Sequence, residues 1–154
     1  MSDSTAIDFT LPSTGGSEFR LSSHRGQFVV LYFYPKDSTP GCTTEAQNFR
    51  DLHAEFVSLD CLIVGISRDS LKSHANFSEK QSLPFPLLSD PDERVCEQFG
   101  VMKLKNMYGK QVRGIERSTF LIDRQGAVVR EWRGVKVPGH AAEVLAAVAA
   151  LARR

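Results

Sequence analysis

The chain has 154 residues, a length typical of one domain with a substantial core, and we expect a single domain over 1–154. Hydrophobic residues make up 42% of the sequence and charged residues 24%, which excludes disorder as the main state. The formal net charge is only +1, so no field of one sign would attract nucleic acid or a membrane surface. We expect neither as a partner.

The N-terminal sequence and the cysteines together predict a cytoplasmic protein. Residues 1–5 show no basic segment followed by an apolar one, so no secretory signal is visible. No apolar run approaches the roughly 20 residues of a membrane helix. Cys42, Cys61 and Cys96 are an odd number without a close-spaced pair, which argues against a disulfide framework and a CxxC motif.

The first elements predicted along the chain are a hairpin and two buried strands. Apolar residues alternate over 7–11 and again over 19–21, on either side of a Ser-Thr-Gly-Gly turn, which indicates a hairpin with one buried face. Residues 28–34 and 61–66 are apolar almost throughout, as in strands covered on both faces of a mostly parallel sheet.

Four helices are predicted from capping residues and apolar stripes. The first runs from Pro40 to about Val57, with Thr39 as its N-cap, and the second follows the cap Ser70. The third begins at 90–93, whose Asp and Glu are spaced as in a capping box. The last helix covers about His140 to Leu151.

The remaining strands complete the predicted fold class. A short or edge strand is expected over 83–88, because prolines interrupt it, and a loop over the polar segment 103–114. Residues 118–122 and 127–132 form a hairpin around a turn. The order β-β-β-α-β-α-β-α-β-β-α predicts an α/β sandwich, with a mixed central sheet covered by helices on both faces and an N-terminal hairpin extension.

Cys42 is the candidate reactive residue, since it falls in the first turn of a predicted helix. Unpaired amide N–H groups and the helix dipole favour a thiolate over a thiol there. Thr39 places a hydroxyl three residues before the sulfur, while Pro35 and Pro40 fix and shield the loop. Simple packing is a poor explanation, because cysteine is not a preferred cap and the neighbours are polar or turn-forming.

The motif around Cys42 resembles one family over nearly the whole chain. Pro35-x-x-x-Thr39-x-x-Cys42 matches the PxxxTxxC signature of the peroxiredoxins, and 32–46 resembles their bacterioferritin comigratory protein branch, or Q type. Further segments similar to that branch are 65–70, 85–90, 106–109 and 114–123. The resemblance implies a thioredoxin-like fold and a thiol-dependent peroxidase that reduces hydrogen peroxide and organic hydroperoxides through a cysteine sulfenic acid.

The resemblance also assigns roles to four residues. Cys42 matches the peroxidatic cysteine, Thr39 the threonine that contacts the peroxide oxygens, Pro35 the proline that shields the sulfur, and Arg117 the active-site arginine. A guanidinium near Cys42 would stabilise the thiolate and the charge on the leaving oxygen. From the sequence alone Arg117 could also be a surface arginine or one paired with a glutamate such as the adjacent Glu116. Glu45 either supports catalysis or stabilises the first helical turn.

The usual resolving cysteines of the Q type are replaced in this chain. Many members carry one five residues after the peroxidatic cysteine, where Gln47 stands, and others in the next helix, where Ser78 stands. One-cysteine behaviour, an engineered cysteine-to-serine change, and resolution by Cys96 or an external thiol all stay open. The reductant expected is thioredoxin, glutaredoxin or a small thiol, and the resemblance suggests a monomer.

Two other functions compete with the peroxidase. A cysteine hydrolase would need an imidazole base beside Cys42, and no histidine is placed by a motif to supply it. A non-enzymatic thioredoxin-like binding or holdase domain would leave Cys42 incidental. The four histidines show no metal-ligand pairing, and we expect no metal and no cofactor.

Overall fold

The structure, a computed structural model, describes residues 4–5 and 8–153. Its strands are β1 (Ser4–Thr5), β2 (Thr10–Pro12), β3 (Glu18–Arg20), β4 (Phe28–Phe33), β5 (Cys61–Ser67), β6 (Leu87–Ser89), β7 (Met102–Met107), β8 (Lys110–Ile115), β9 (Ser118–Ile122) and β10 (Ala127–Arg133). Its α-helices are α1 (Pro40–Asp51), α2 (His53–Ser58), α3 (Leu71–Gln81), α4 (Arg94–Gln98) and α5 (His140–Ala152).

A six-stranded mixed sheet forms the middle of the molecule, in the order β1-β10-β9-β4-β5-β6. The pairs β4–β5 and β5–β6 are parallel, whereas β4–β9, β9–β10 and β10–β1 are antiparallel. The short or edge strand predicted over 83–88 exists as the edge strand β6, but its bounds are wrong, because it begins only at Leu87, after the last proline, and ends at Ser89. The mixed sheet itself is also confirmed.

Strand β4 is buried on both faces, because its side chains alternate between two apolar clusters. Val29, Leu31 and Phe33 face the cluster that is closed by the β2–β3 hairpin and α4. Phe28, Val30 and Tyr32 face the opposite cluster, to which α1, α2, α3 and α5 all contribute side chains. The predicted sandwich and N-terminal hairpin are confirmed; the predicted alternation also included Ile7, which lies outside the described residues.

Two further predicted element boundaries are wrong. The helix expected from Pro40 to Val57 breaks at Leu52, whose φ of −102° and ψ of 3° separate α1 from α2. The apolar stripe continues across the break through the buried Phe49 and Phe56, so periodicity could not reveal it. The expected capping box before α4 does not form, because Asp90 Oδ2 accepts from the Cys96 amide at 2.8 Å.

The segment 103–114, expected to be a loop, lies within a β-hairpin. Strands β7 and β8 pair antiparallel from Met102↔Ile115 to Met107↔Lys110 and form a two-stranded sheet of their own. Tyr108 and Gly109 make the turn with φ values of 54° and 79°, as a type I′ turn requires. Most of the hairpin is exposed, so no hydrophobic alternation marks it in the sequence.

None of the helices within 8–153 combines the length and the apolarity needed to cross a membrane.

Candidate active site

Cys42 lies where the central strand β4 gives way to a helix. After β4 the chain passes through a loop over 34–39, and Cys42 is the third residue of α1. Its side chain is 1% exposed. The first amide groups of a helix have no acceptor within the helix, and the helix dipole places partial positive charge there, so this position suits an anionic sulfur.

Arg117 joins Cys42 to Glu45. The arginine lies between β8 and β9, 75 residues from Cys42 in sequence, and its Nη2 donates to Cys42 Sγ at 3.4 Å. Its Nη1 donates to Glu45 Oε1 at 2.6 Å. One guanidinium therefore contacts a sulfur and a carboxylate that both lie on the first turns of α1, which is more than a surface arginine would do.

Glu45 is buried beside the arginine, with 1% of its residue surface exposed. Burial raises the pKa of Glu45 to about 7, although the charge and hydrogen bond of Arg117 act in the opposite direction. Its Oε2 has no hydrogen-bond partner among the described residues. An exposed glutamate that only stabilised the helix dipole would show neither feature. Glu45 is thus a buried carboxyl held against Arg117, with its pKa raised toward neutral pH.

Pro35 and Thr39 lie half-buried in the loop before α1. Thr39 occupies the N-cap position, as predicted, but no helix amide donates to its hydroxyl. The hydroxyl instead donates to the carbonyl of Lys36 at 2.8 Å, so the prediction of a side-chain cap is wrong. That hydrogen bond holds the Thr39 side chain against its own loop and leaves the oxygen to accept from another donor.

A buried polar network around Asp37 holds this loop, and the sequence did not reveal it. Tyr34 Oη donates to Asp37 Oδ1 at 2.6 Å, while Ser73 Oγ donates to Asp37 Oδ2 at 2.8 Å. His74 Nδ1 lies 2.7 Å from the same Oδ2. Burial raises the pKa of Asp37, but the hydrogen bonds from His74, Tyr34 and Ser73 outweigh it and hold the pKa below its ordinary value. The network ties the loop to α3.

His74 is the central donor of this network. Its Nδ1 faces Asp37, and its Nε2 lies 2.8 Å from the carbonyl oxygen of Leu88. Because both ring nitrogens face oxygen atoms, the ring bridges Asp37 in the loop and the Leu88 carbonyl in strand β6. The sequence offered one signal of this network, because it placed His74 on the inward face of a predicted helix, and a buried histidine needs a polar partner. The structure confirms that His74 is fully buried.

The network does not favour a metal ion. Ligand atoms of Asp37, Asp69 and His74 lie within 4.8 Å of one another. However, Asp69 Oδ2 already accepts from Ser67 Oγ at 2.6 Å and from the Asp37 amide at 2.9 Å. Both ring nitrogens of His74 are likewise engaged, with Asp37 and with the carbonyl of Leu88. The expectation that no metal or cofactor is needed stays a prediction.

The other histidines do not supply the base that a cysteine hydrolase needs. Each described histidine has its contacts elsewhere: His24 with Gln27, His53 with the ring of Phe85, His74 with Asp37, and His140 with Thr119. The recorded side-chain hydrogen-bond partner of Cys42 is Arg117. The geometry therefore favours a stabilised thiolate over a cysteine–histidine pair.

Neither of the other cysteines reaches Cys42. Cys96 packs in the cluster on the opposite face of the central sheet, so the fold contradicts direct resolution by Cys96. Cys61 pairs with Phe28 at the start of β4, about 17 Å of strand away from the end that leads to Cys42. Burial raises the pKa of Cys61 to about 12 and that of Cys96 still further, which leaves both as poor nucleophiles.

The positions of the usual resolving cysteines lie on α1 and α3. Gln47 Nε2 donates to Gln81 Oε1 at 2.9 Å and links the two helices. Ser78 lies half-buried on α3, one turn beyond His74. Neither side chain can form a disulfide.

The comparison with known proteins agrees with this geometry. Residues 3–131 match the AhpC/TSA family. The chain is 56% identical to Peroxiredoxin Bcp of Xanthomonas campestris pv. campestris over 148 residues, which cover 96% of this chain and 92% of the relative. It is 53% identical to Peroxiredoxin Bcp of Bacillus subtilis over 140 residues, covering 91% and 89%.

Solved structures from Xanthomonas campestris share the fold. One, of a bacterioferritin comigratory protein studied for alkyl peroxide reduction, has a TM-score of 0.90 at 57% identity and covers 94% of this chain and 92% of that one. Two cysteine-to-serine mutants of Peroxiredoxin Q have TM-scores of 0.92 and 0.91 at 52% and 54% identity, covering 98% and 97% of this chain and 99% of each mutant.

The two cysteines replaced in those mutants are as far apart in their chain as Cys42 and Ser78 are in this one. Ser78 therefore stands at the spacing at which the Xanthomonas protein has a second cysteine. Since both its fold and its sequence match, the chain belongs to the AhpC/TSA family, in the branch of the Bcp and Q-type peroxiredoxins.

Proposed function

We propose that this peroxiredoxin reduces hydrogen peroxide and organic hydroperoxides with Cys42 as the attacking thiolate. The contact of Arg117 Nη2 with Cys42 Sγ at 3.4 Å, in a buried first helical turn, carries the proposal. The study of alkyl peroxide reduction by the Xanthomonas protein, 57% identical to this chain, supports organic hydroperoxides as substrates.

The reaction is a displacement at oxygen. The Cys42 thiolate attacks one peroxide oxygen in line with the O–O bond, so an S–O bond forms as the O–O bond breaks. The electron pair leaves with the second oxygen, which takes up a proton and departs as water or alcohol. Sulfur is oxidised to sulfenic acid and the peroxide is reduced. The Arg117 cation stabilises the thiolate and the charge on the departing oxygen.

The loop residues complete the peroxide pocket. The Thr39 hydroxyl, half-buried at the start of α1, contacts the peroxide oxygens together with free amide groups of the first turn. Pro35 shields the sulfur from water. Glu45 is a positioning residue, because its 2.6 Å hydrogen bond fixes the guanidinium of Arg117 toward Cys42.

An external thiol completes the cycle. Gln47 and Ser78 carry no thiol, Cys96 lies across the sheet and Cys61 at the far end of β4, so we propose one-cysteine behaviour. The incoming thiolate attacks the sulfenic sulfur, a disulfide forms, and the hydroxyl leaves as water after protonation. A second thiol then attacks that disulfide, which frees the Cys42 thiolate and leaves the two reductant sulfurs joined. Thioredoxin, glutaredoxin or a small thiol fits this step. We place the protein in the cytoplasm, a reducing compartment that keeps such thiols in their reduced form. One chain provides every residue of the proposed site, which suits a monomer.

The proposed function predicts selective oxidation of Cys42. Reduced protein mixed with one equivalent of hydrogen peroxide should gain one oxygen at Cys42 promptly, as seen by intact mass and peptide mapping, because only this thiol contacts a cation in the site. The Cys42→Ser variant should neither gain the oxygen nor consume peroxide. A Cys61→Ser, Cys96→Ser variant is the matched control and should react normally. Peroxide consumption that persists in Cys42→Ser would refute the proposal.

Gly41→Ala separates activity from stability. A Cβ at Gly41 would lie 3.1 Å from Arg117 Nη2, the atom that donates to Cys42 Sγ, so the guanidinium must move by a few tenths of an ångström. Alanine is otherwise favourable in a helix. We expect oxidation of Cys42 to slow by at least about 10-fold in stopped-flow measurements, with the urea midpoint unchanged or higher. Gly114→Ala, whose Cβ would make ordinary 3.7 Å contacts with Lys105, is the control. Equal oxidation rates in both variants would contradict the role of Arg117.

Glu45 should make stability fall as pH rises. Because burial raises its pKa from 4.5 to about 7, the folded chain binds more protons than the unfolded chain between these values. The free energy of unfolding should therefore drop, by roughly 3 kcal/mol, from pH 4.5 to about pH 7.5. Glu45→Gln, which mimics the protonated form, should lack this component in urea titrations across pH. Parallel curves for the two proteins would show that Glu45 titrates normally.

Ser78→Cys should restore an internal disulfide. Its spacing from Cys42 equals that of the two cysteines replaced in the Xanthomonas mutants. After one equivalent of peroxide the variant should lose two hydrogens in mass and run faster on a non-reducing gel, while the unmodified chain retains a sulfenic acid. Glu79→Cys, at the adjacent exposed position of α3, is the control and should form no such bond. An internal disulfide in the unmodified chain would overturn one-cysteine behaviour.

A further inference from the structure

The β7–β8 hairpin presents an exposed apolar surface that the proposed reaction does not use. The described residues contain six exposed large hydrophobic side chains, and four of them lie on this hairpin. They are Leu104 (66% exposed), Met107 (49%), Tyr108 (99%) and Val112 (43%). We call residues 102–115 the hairpin surface. By the strand register Met107 and Val112 share one face with Lys103 and Lys110. Tyr108 lies at the tip, and Leu104 lies on the other face. Exposed apolar side chains grouped on one face usually mark a binding site.

The fold itself gives no reason for the most exposed of these residues. Tyr108 has φ 54°, a left-handed conformation in which Gly, Asn and Asp are favoured over an aromatic residue. Its side chain is almost fully in water, so it gains no burial in return. A residue that costs the turn free energy and packs against nothing in the described chain is better explained by a contact with another molecule.

The hairpin surface is also basic. It contains Lys103, Lys105, Lys110 and Arg113 and no acidic residue, although the whole chain has a net charge of only +1. Arg113 is paired with Glu93 and Glu97, and Lys105 Nζ donates to the carbonyl of Ile115 at 2.6 Å. The exposed Lys103 and Lys110 remain on either side of the apolar tip. A matching partner therefore has an apolar patch with an acidic rim.

The hairpin surface adjoins the active site. Strand β8 ends at Ile115, two residues before Arg117. Burial lowers the pKa of Lys105, the charge of Arg117 lowers it further and that of Cys42 opposes the change, which places all three groups within electrostatic reach. The tip of the hairpin lies five residues, about 17 Å of strand, beyond the Ile115 end, so a protein that contacts the tip is large enough to reach the site as well.

We propose that the hairpin surface is the docking site for the protein dithiol that reduces oxidised Cys42. The inference rests on the proposed function, in which no thiol of this chain resolves the sulfenic acid. One partner thiolate attacks the sulfur of Cys42, forming a mixed disulfide and releasing water. The second partner thiol attacks that disulfide, which frees the Cys42 thiolate and leaves the partner oxidised.

The test compares a protein reductant with a small one. Chain oxidised with one equivalent of peroxide is mixed with thioredoxin, glutaredoxin or dithiothreitol, and the second-order rate constant for recovery of the Cys42 thiol is measured. We expect Met107→Ser, Tyr108→Ser to slow the faster protein reductant at least about 10-fold. Reduction by dithiothreitol and oxidation by peroxide should not change. Val57→Ser, which removes an exposed apolar side chain on α2, is the matched control.

Charge gives a second, independent readout. Lys103→Glu, Lys110→Glu should also slow the protein reductant, and raising the salt concentration should slow the unmodified chain more than this variant. Unchanged protein-reductant rates in both variants would overturn the docking site, as would a chain that neither protein reduces faster than dithiothreitol does.

Two further outcomes are distinguishable. If the variants lose binding to phosphatidylglycerol–phosphatidylcholine vesicles in co-sedimentation but keep the thioredoxin and glutaredoxin rates, the surface binds membranes and the proposal is wrong. If Cys42 of the unmodified chain never gains oxygen, the proposed peroxidase itself fails, and the docking proposal fails with it.

Discussion

The guanidinium of Arg117 is the charge on which the site depends. It is held in a largely buried position with two partners, Cys42 and Glu45, which lie on the same helix three residues apart. When Cys42 is a thiolate, the cation already faces one anion, and the buried Glu45 can keep its proton. When Cys42 is a thiol or a sulfenic acid, an ionised Glu45 can balance the cation instead. A carboxyl whose pKa lies near 7 suits this exchange, because its protonated and ionised forms have similar free energies at neutral pH.

The loop before α1 is held by a second buried pair, between the loop and helix α3. Asp37 and His74 form a buried pair whose remaining hydrogen-bonding groups are satisfied by Tyr34, Ser73 and the carbonyl of Leu88. Such a network is stable only when complete, so it fixes the loop in one conformation. Helix α3 therefore anchors the loop that carries Thr39. It does so although Ser78 stands at the spacing at which the Xanthomonas protein has a cysteine.

The sequence predicts those elements whose structure is determined by residues close together in the chain. Strand β4 and the start of α1 are marked by a continuous apolar run and by the Thr39-Pro40 cap, and both were predicted. The β7–β8 hairpin was missed because exposed strands carry no alternation, and its turn uses Tyr108 where Asn or Gly would have signalled it. Arg117 could be joined to Cys42 only through the family resemblance. The position of Cys96 across the sheet could not be predicted, since residue order does not say which face a helix covers.

The burial of Cys42 and the exposure of the hairpin surface are connected through reduction. Residue Cys42 is 1% exposed, so reduction by a protein thiol, as proposed, requires the first turn of α1 to open. The Asp37 network opposes opening, because the loop that would move is bonded to α3 and, through Asp69, to the residues that follow β5. A partner held on the β7–β8 hairpin would remain beside the site through many such openings. Docking would thereby make the attack of the partner thiol on oxidised Cys42 an intramolecular step with a high effective concentration. A small thiol has no docking site and depends on its concentration in solution.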